Sequence, residues 1–242
     1  MSGIGYGLRA ACLIAAAAVA LPIFASDAGA GPVPYSWTGF YVDLEAGGGL
    51  ASNYYNVTPG LNVNGWGGAG GAAVGWRTPI NASPDSLVFP DGARFGVLGG
   101  SFNGTTFYPT DGFTYGVKSP FAFYGEGEFA NLMIDTFVGM LLPNAPIRFY
   151  STAGVAGVVQ NFNWTMPGVS GSTNVLDFAA TTSIRVEFPV ANGTDMYLQW
   201  RTFYMPGQSV GIPAPVIVKG IINVVTLGAQ FNTGVFTGVM PR

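Results

Sequence analysis

From Leu176 to Val190 the chain reads LDFAATTSIRVEFPV. In an extended backbone, Leu176, Phe178, Ala180, Thr182, Ile184, Val186, Phe188 and Val190 share one face, and Asp177, Ala179, Thr181, Ser183, Arg185 and Glu187 share the other. A period of two over this length specifies a β-strand with one greasy face. The run is far longer than an ordinary globular strand of about 5–6 residues. It also exceeds the roughly 9–11 residues with which a β-strand crosses a bilayer.

The same alternation recurs along the chain. Phe40, Val42, Leu44 and Ala46 alternate with Tyr41, Asp43 and Glu45. Glu126 and Glu128 oppose Phe123, Gly125, Gly127 and Phe129. Asp135 alternates with Ile134, Thr136, Val138 and Met140, which predicts a further strand over 134–142. Arg148, Tyr150 and Thr152 oppose Phe149, Ser151 and Ala153; Gln199 and Arg201 oppose Leu198 and Trp200; and VVTLGAQF near the end sets Thr226 and Gln230 against Val225, Leu227 and Phe231. Turn-forming clusters (LPNAP, MPGVSGSTN, ANGTD, MPGQSVGIPAP) separate the runs. No helical period of useful length and no internal repeat is visible. The fold class is all-β: an antiparallel, up-and-down meander. Residues 77–120 are the hardest to divide. There RFGVLGGSF, Asn103-Gly104 and TTFYPTDGFTYGV suggest a hairpin turning at Asn-Gly. Eight strands are expected, or ten if both arms of that hairpin span.

Period alone does not say which face is inside. A water-soluble barrel turns its apolar face inward, and a membrane barrel turns it outward with polar residues in the lumen. Composition favours the second. Only 9% of the 242 residues are charged, and the mean hydropathy is +0.37, against about 25% charged in soluble domains. The polar faces are rich in Gly, Ala, Ser and Thr, and aromatics crowd strand ends at Tyr35, Trp37, Phe40, Tyr41 and at Trp200, Phe203, Tyr204. On this reading Asp43, Arg185 and Arg201 point into the lumen and Phe40, Ile184 and Trp200 outward. A charge at Leu198 then costs much more than one at the lumen position Gln199.

At the front of the chain, Arg9 precedes the apolar run AACLIAAAAVALPIFA, and small residues follow. This is the plan of a secretory signal. Residues 1–30 are assigned to it, with cleavage after Ala25 or Ala30, and 31–242 to the barrel domain. The sole cysteine, Cys12, lies within that run, so the exported chain has no disulfide.

The stretch WTGFYVDLEAGGG (Trp37 to Gly49), following an export signal, resembles the first strand of the small outer-membrane β-barrel family of Gram-negative bacteria, the porin-like and opacity-type surface proteins. RFYSTAGVAG resembles an inner strand of that family, YLQWRTFY its penultimate strand and VTLGAQF its closing strand. The chain departs from the family in continuing beyond Phe231, where the closing aromatic usually ends it. The resemblance implies a transmembrane β-barrel in the outer membrane. It implies contact with outer-membrane lipid and lipopolysaccharide, and insertion by the barrel-assembly machinery.

Chemistry is restricted. The chain has no histidine, which removes Ser-His-Asp triads and His-based metal sites. GWGGAGGAAVG lacks the Lys-Ser/Thr ending of a phosphate loop. With nine Lys and Arg, twelve Asp and Glu and no basic run, there is no nucleic-acid footprint. No catalytic residue, cofactor or metal is assigned, and the chain is not read as an enzyme. The candidate functional constellation is a lumen charge network of Asp43, Glu45, Glu126, Glu128, Asp135, Arg148, Asp177, Arg185, Glu187 and Arg201, since a buried charge needs a partner. The expected function is structural or surface-interacting, with a lumen filled by side chains. Two alternatives stand beside it: a narrow porin-like channel, and a soluble exported ligand-binding barrel of lipocalin type.

Overall fold

The computed structural model describes residues 39–57, 59–77, 91–109, 112–142, 147–191, 193–212 and 214–233. The assigned signal segment, 1–30, lies outside them, as do most of the 77–91 connection and the last nine residues of the tail. Eight strands are present among the described residues: β1 (Gly39–Tyr55), β2 (Leu61–Arg77), β3 (Gly92–Tyr108), β4 (Phe113–Ala130), β5 (Arg148–Met166), β6 (Val169–Ala191), β7 (Thr194–Ile212) and β8 (Ala214–Asn232). One helix, α1 (Leu132–Leu141), joins β4 to β5. Each strand pairs antiparallel with its sequence neighbour, and β8 returns to β1 to close the barrel. The seam runs from Tyr41 opposite Asn232 to Tyr55 opposite Val218. Gly47 and Gly49 point inward along it. A Cβ on either would run into the β8 carbonyls of Val225 or Asn223, so only glycine permits this approach.

Two sequence expectations are corrected. Residues 134–142 are not a strand. Met133, Ile134, Phe137, Met140 and Leu141 recur at helical spacing, and that period prevails over the shorter alternation of Ile134, Thr136, Val138 and Met140. Asn103-Gly104 is not a turn either. It lies within β3, where Asn103 pairs with Trp66 and Lys118. The hairpin closes beyond Tyr108 instead, near Gly112 at φ +75°. At the β5–β6 turn, Pro167-Gly168 has the Pro-then-positive-φ order of a type II turn, with Gly168 at φ +80°.

Both ends of the barrel sequence, Gly39 and Asn232, lie at one rim, here termed the terminal rim; the turns after β1, β3, β5 and β7 form the hairpin rim. In the terminal half, β1 exposes Phe40, Val42 and Leu44 and buries Tyr41, Asp43 and Glu45. The other strands follow suit: Val74, Trp76, Phe95, Val97, Phe123, Phe178, Ile184, Trp200, Val225 and Leu227 are exposed on the outer wall.

In the hairpin half the strands keep pointing alternately in and out, but the chemistry of the faces exchanges. Asn62, Asn64, Ser101, Asn103, Thr105, Ser170, Ser172 and Asn174 now point outward, with Trp66, Phe107 and Ile217 among them. Inside are two apolar clusters. One contains Leu98, Phe102, Val158, Phe203, Met205 and Ile222. The other contains Tyr55, Val63, Tyr115, Val117, Phe162 and Val218. The exchange falls near Leu50 on β1, Leu176 on β6 and Ile221 on β8. Register shifts at Gly99–Phe102, Lys118–Phe121 and Met205–Gln208 lie at the same level, where bulges locally raise twist.

Candidate functional site

The terminal half of the lumen is packed with ions. Asp43 and Glu45 arrive from β1, Arg77 from β2, Arg94 from β3, Glu126 and Glu128 from β4, Arg185 and Glu187 from β6, and Arg201 from β7. Period two alone puts each of these pairs on one face, two residues apart. Arg185 bridges three acids: Nε lies 2.7 Å from Glu187, Nη1 3.0 Å from Asp43 and 3.8 Å from Glu128. Arg94 Nε is 2.8 Å from Asp43, with Glu45 at 3.5 Å. Arg201 joins Glu45 at 3.0 Å and Glu126 at 3.1 Å. Nearest the terminal rim, Arg77 clamps Glu128 at 2.8 Å and Glu187 at 2.7 Å. Four guanidiniums thus meet five carboxylates, every one of them buried.

Tyrosines fill the space between the ions. The Arg185 guanidinium stands 3.6 Å from the Tyr197 ring centroid, Arg201 3.9 Å from Tyr124 and Arg77 4.1 Å from Tyr150, close enough for cation–π attraction. Neutral groups add hydrogen bonds to Glu45 and Glu126. Tyr124 donates to Glu45, Thr181 to Glu126 and Thr226 to Glu45. Gln199 accepts from Arg94 and donates to Ser183. Gln199 is wholly buried and bonded at both ends, so a guanidinium placed there would have to displace both bonds.

Of the ten residues proposed from sequence, seven come together: Asp43, Glu45, Glu126, Glu128, Arg185, Glu187 and Arg201. Three do not join them. Asp135 is on α1, where it accepts from the Phe149 amide at 2.9 Å and from Arg148 at 3.3 Å. Arg148 points to that rim pair and is about one-third exposed. Asp135 is expected in the lumen from the strand alternation of 134–142, which the helix replaces; Arg148 is expected there from the alternation that begins β5, but it stands at the very end of that strand and turns to Asp135. Asp177 does point inward and is buried, but it lies opposite Val158 at the level of the first apolar cluster, with no ion pair among the described residues.

Arg77 and Arg94 were missed. Both lie in the stretch that resisted division into strands. The signal was present for Arg94: Phe95 and Val97 alternate with Arg94, Gly96 and Leu98, and the structure puts the first pair out and Arg94 and Leu98 in.

The two apolar clusters fill the hairpin half, and the interior space beside Leu98, Phe102, Ser119 and Phe203 is about 10 Å³, roughly one water. A larger hollow, about 430 Å³, lies on the outer wall among Val42, Val74, Phe95, Val97 and Phe123. Its lining is almost wholly apolar.

No family model matches the sequence, and no curated protein matches it. Among solved structures the chain is similar to Neisserial surface protein A, at 14% identity over 81% of this chain and 97% of that one, with a TM-score of 0.41. It is also similar to the outer membrane protein OprG from Pseudomonas aeruginosa, at 8% identity over 81% and 97% of the two chains, with a TM-score of 0.46. A third is a major outer membrane protein from Thermus thermophilus, at 10% identity over 79% and 98%, with a TM-score of 0.44. Likeness of this degree leaves function to be argued from the chain's own geometry.

Proposed function

We propose that this chain is an outer-membrane β-barrel with a structural or surface-interaction role, its lumen closed by its own side chains. The observation that carries the reading is the inverted terminal half: apolar residues on the outer wall and nine mutually paired ions inside. In water that arrangement would desolvate the ions and expose the greasy wall, so the half is built for lipid. It disfavours a lipocalin-type barrel, whose apolar face is internal.

The hairpin half extends past the bilayer with its polar face out. Its side chains match the successive layers of a phosphorylated saccharide lipid, lipopolysaccharide. The apolar wall meets acyl chains. Lys118 and Lys219 are the exposed cations of the strands, 12 and 13 residues from the terminal-rim ends of β4 and β8. At about 3.3 Å per residue and a tilt near 40°, that height is about 30 Å, the far face of an apolar core. Tyr54, which pairs with Lys219, and Trp66, near Lys118 through Asn103, complete an aromatic and basic collar. Above it the Asn, Ser and Thr ladders stand at sugar height. On this reading the hairpins lie outside the cell and the terminal rim in the periplasm. The role is one of anchoring and display.

Planar-bilayer recording tests the closed lumen. Eight strands leave an interior just wide enough for side chains, and here both halves are filled. Purified protein is expected to give no steady conductance proportional to salt, only brief flickers. A stable, porin-sized step would overturn the closed lumen and favour the narrow-channel alternative.

A further inference from the structure

The helix α1 leaves the barrel at the terminal rim, between Ala130 of β4 and Arg148 of β5. Its length of ten residues gives about 15 Å. It is apolar nearly all round, and its large side chains are bare: Met133 is 82% exposed, Phe137 61%, Met140 76% and Leu141 62%. A helix apolar on every face is normally buried, and an apolar patch of this kind marks an interaction surface.

Its tethers define where it lies. Asn131 donates through Nδ2 to Ser151 Oγ at 2.8 Å. Ser151 is on the outward register of β5, with Phe149 and Ala153, between inward Tyr150 and Thr152. Asp135 accepts from the Phe149 amide and pairs with Arg148. The helix therefore hangs on the outer wall and does not cap the lumen. Its polar tether, Asp135, faces the strand, which leaves Met133, Phe137 and Met140 pointing away. On either side the wall is apolar: Phe129 precedes the helix on β4, and Phe149 opposite Val186 follows it.

We infer that α1 is an interfacial anchor, lying in the headgroup–acyl boundary of the membrane leaflet at the terminal rim with its exposed side chains among lipid tails. The inference rests on the membrane reading above. The argument for lipid as the occupant is continuity. The bare face lies beside the apolar wall of Phe129, Phe149 and Val186, the polar tethers at Asn131, Ser151 and Arg148 are engaged with one another or with α1, and α1 carries a single charge, Asp135, which is already paired. An interfacial helix buries its apolar side about 5–10 Å into that boundary. Such an anchor fixes the depth and rotation of the barrel and couples β4–β5 to lipid packing.

The test uses the full exported chain, free of cysteine, with single substitutions Met133→Cys, Phe137→Cys and Met140→Cys carrying a nitroxide, in vesicles of phosphatidylethanolamine and phosphatidylglycerol. Ile184→Cys on the wall and Ser172→Cys on a hairpin serve as references. Relaxation by oxygen is expected to exceed relaxation by a nickel chelate several-fold at 133, 137, 140 and 184, and to fall below it at 172. Chelate-dominated relaxation at 133, 137 and 140, with 184 still oxygen-dominated, would overturn the anchor and leave the membrane barrel standing. Chelate dominance at 184 as well would overturn the membrane reading itself. Spin–spin broadening at 137, abolished by dilution with unlabelled protein, would assign the face to a second copy and overturn lipid as its occupant.

Discussion

Replacing Arg185 by Met is expected to lower the unfolding free energy of the reconstituted barrel by about 3–5 kcal/mol, the usual cost of stranding a buried charge. The substitution keeps much of the aliphatic volume, so loss of packing is not the main term. What is lost is the only cation that touches Asp43, Glu128 and Glu187 together. Arg94 still reaches Asp43, and Arg77 still reaches Glu128 and Glu187. Five acids are then left to three guanidiniums, away from water. Arg148→Met is the control. Its pair with Asp135 is partly exposed at the rim, and such pairs are worth about 0–1 kcal/mol. Urea titration in lipid vesicles, followed by tryptophan emission, measures both. Equal costs at 185 and 148 would mean that the lumen ions are solvated and that the network holds nothing together.

The second large effect is on the wall. Ile184→Arg is expected to cost about 2–4 kcal/mol if the position lies near the bilayer midplane. Asn174→Arg, ten residues up the same strand and on the same outward register, should fall within about 0.5 kcal/mol of zero, as ordinary surface changes do. On the membrane reading the two residues differ in what surrounds the wall at their level: lipid at 184, water at 174. Adjacent Arg185 shows how sharply the strand discriminates. A guanidinium there has three acids within 4.0 Å; one residue away it would meet only hydrocarbon. Urea titration of both variants in vesicles decides the matter, and a cost at 174 matching that at 184 would remove the boundary between the halves.

Much of this architecture was legible because a strand's period is short and its register unforgiving. Asp177 to Val190 announced its faces residue by residue, and the lumen acids of β1 and β4 followed from the same parity. What escaped was of three kinds. The helix was masked by a coincidence of periods: Ile134 and Met140 fit both a strand and a helix, and only Met133, Phe137 and Leu141 break the tie. Arg77 and Arg94 were hidden by the composition of their neighbourhood, where Gly and Ala on both faces blur alternation and Asn103-Gly104 imitates a turn. The exchange of faces was the least visible. A polar-out, apolar-in strand and its inverse share one pattern, so Asn62 and Asn64 do not by themselves reveal which side they face. The arrangement of eight strands at one height exposes it.

The most direct measurement is a scan of β6, which crosses both halves. Single cysteines at Ser170, Ser172, Asn174, Phe178, Ile184 and Phe188, all on the outward register, are labelled with a nitrobenzoxadiazole dye in vesicles containing acyl-brominated phosphatidylcholine. The account predicts strong quenching at 178, 184 and 188, none at 170, 172 and 174, and a single changeover near Leu176. Uniform absence of quenching would contradict it, as would quenching that continues unbroken to 170.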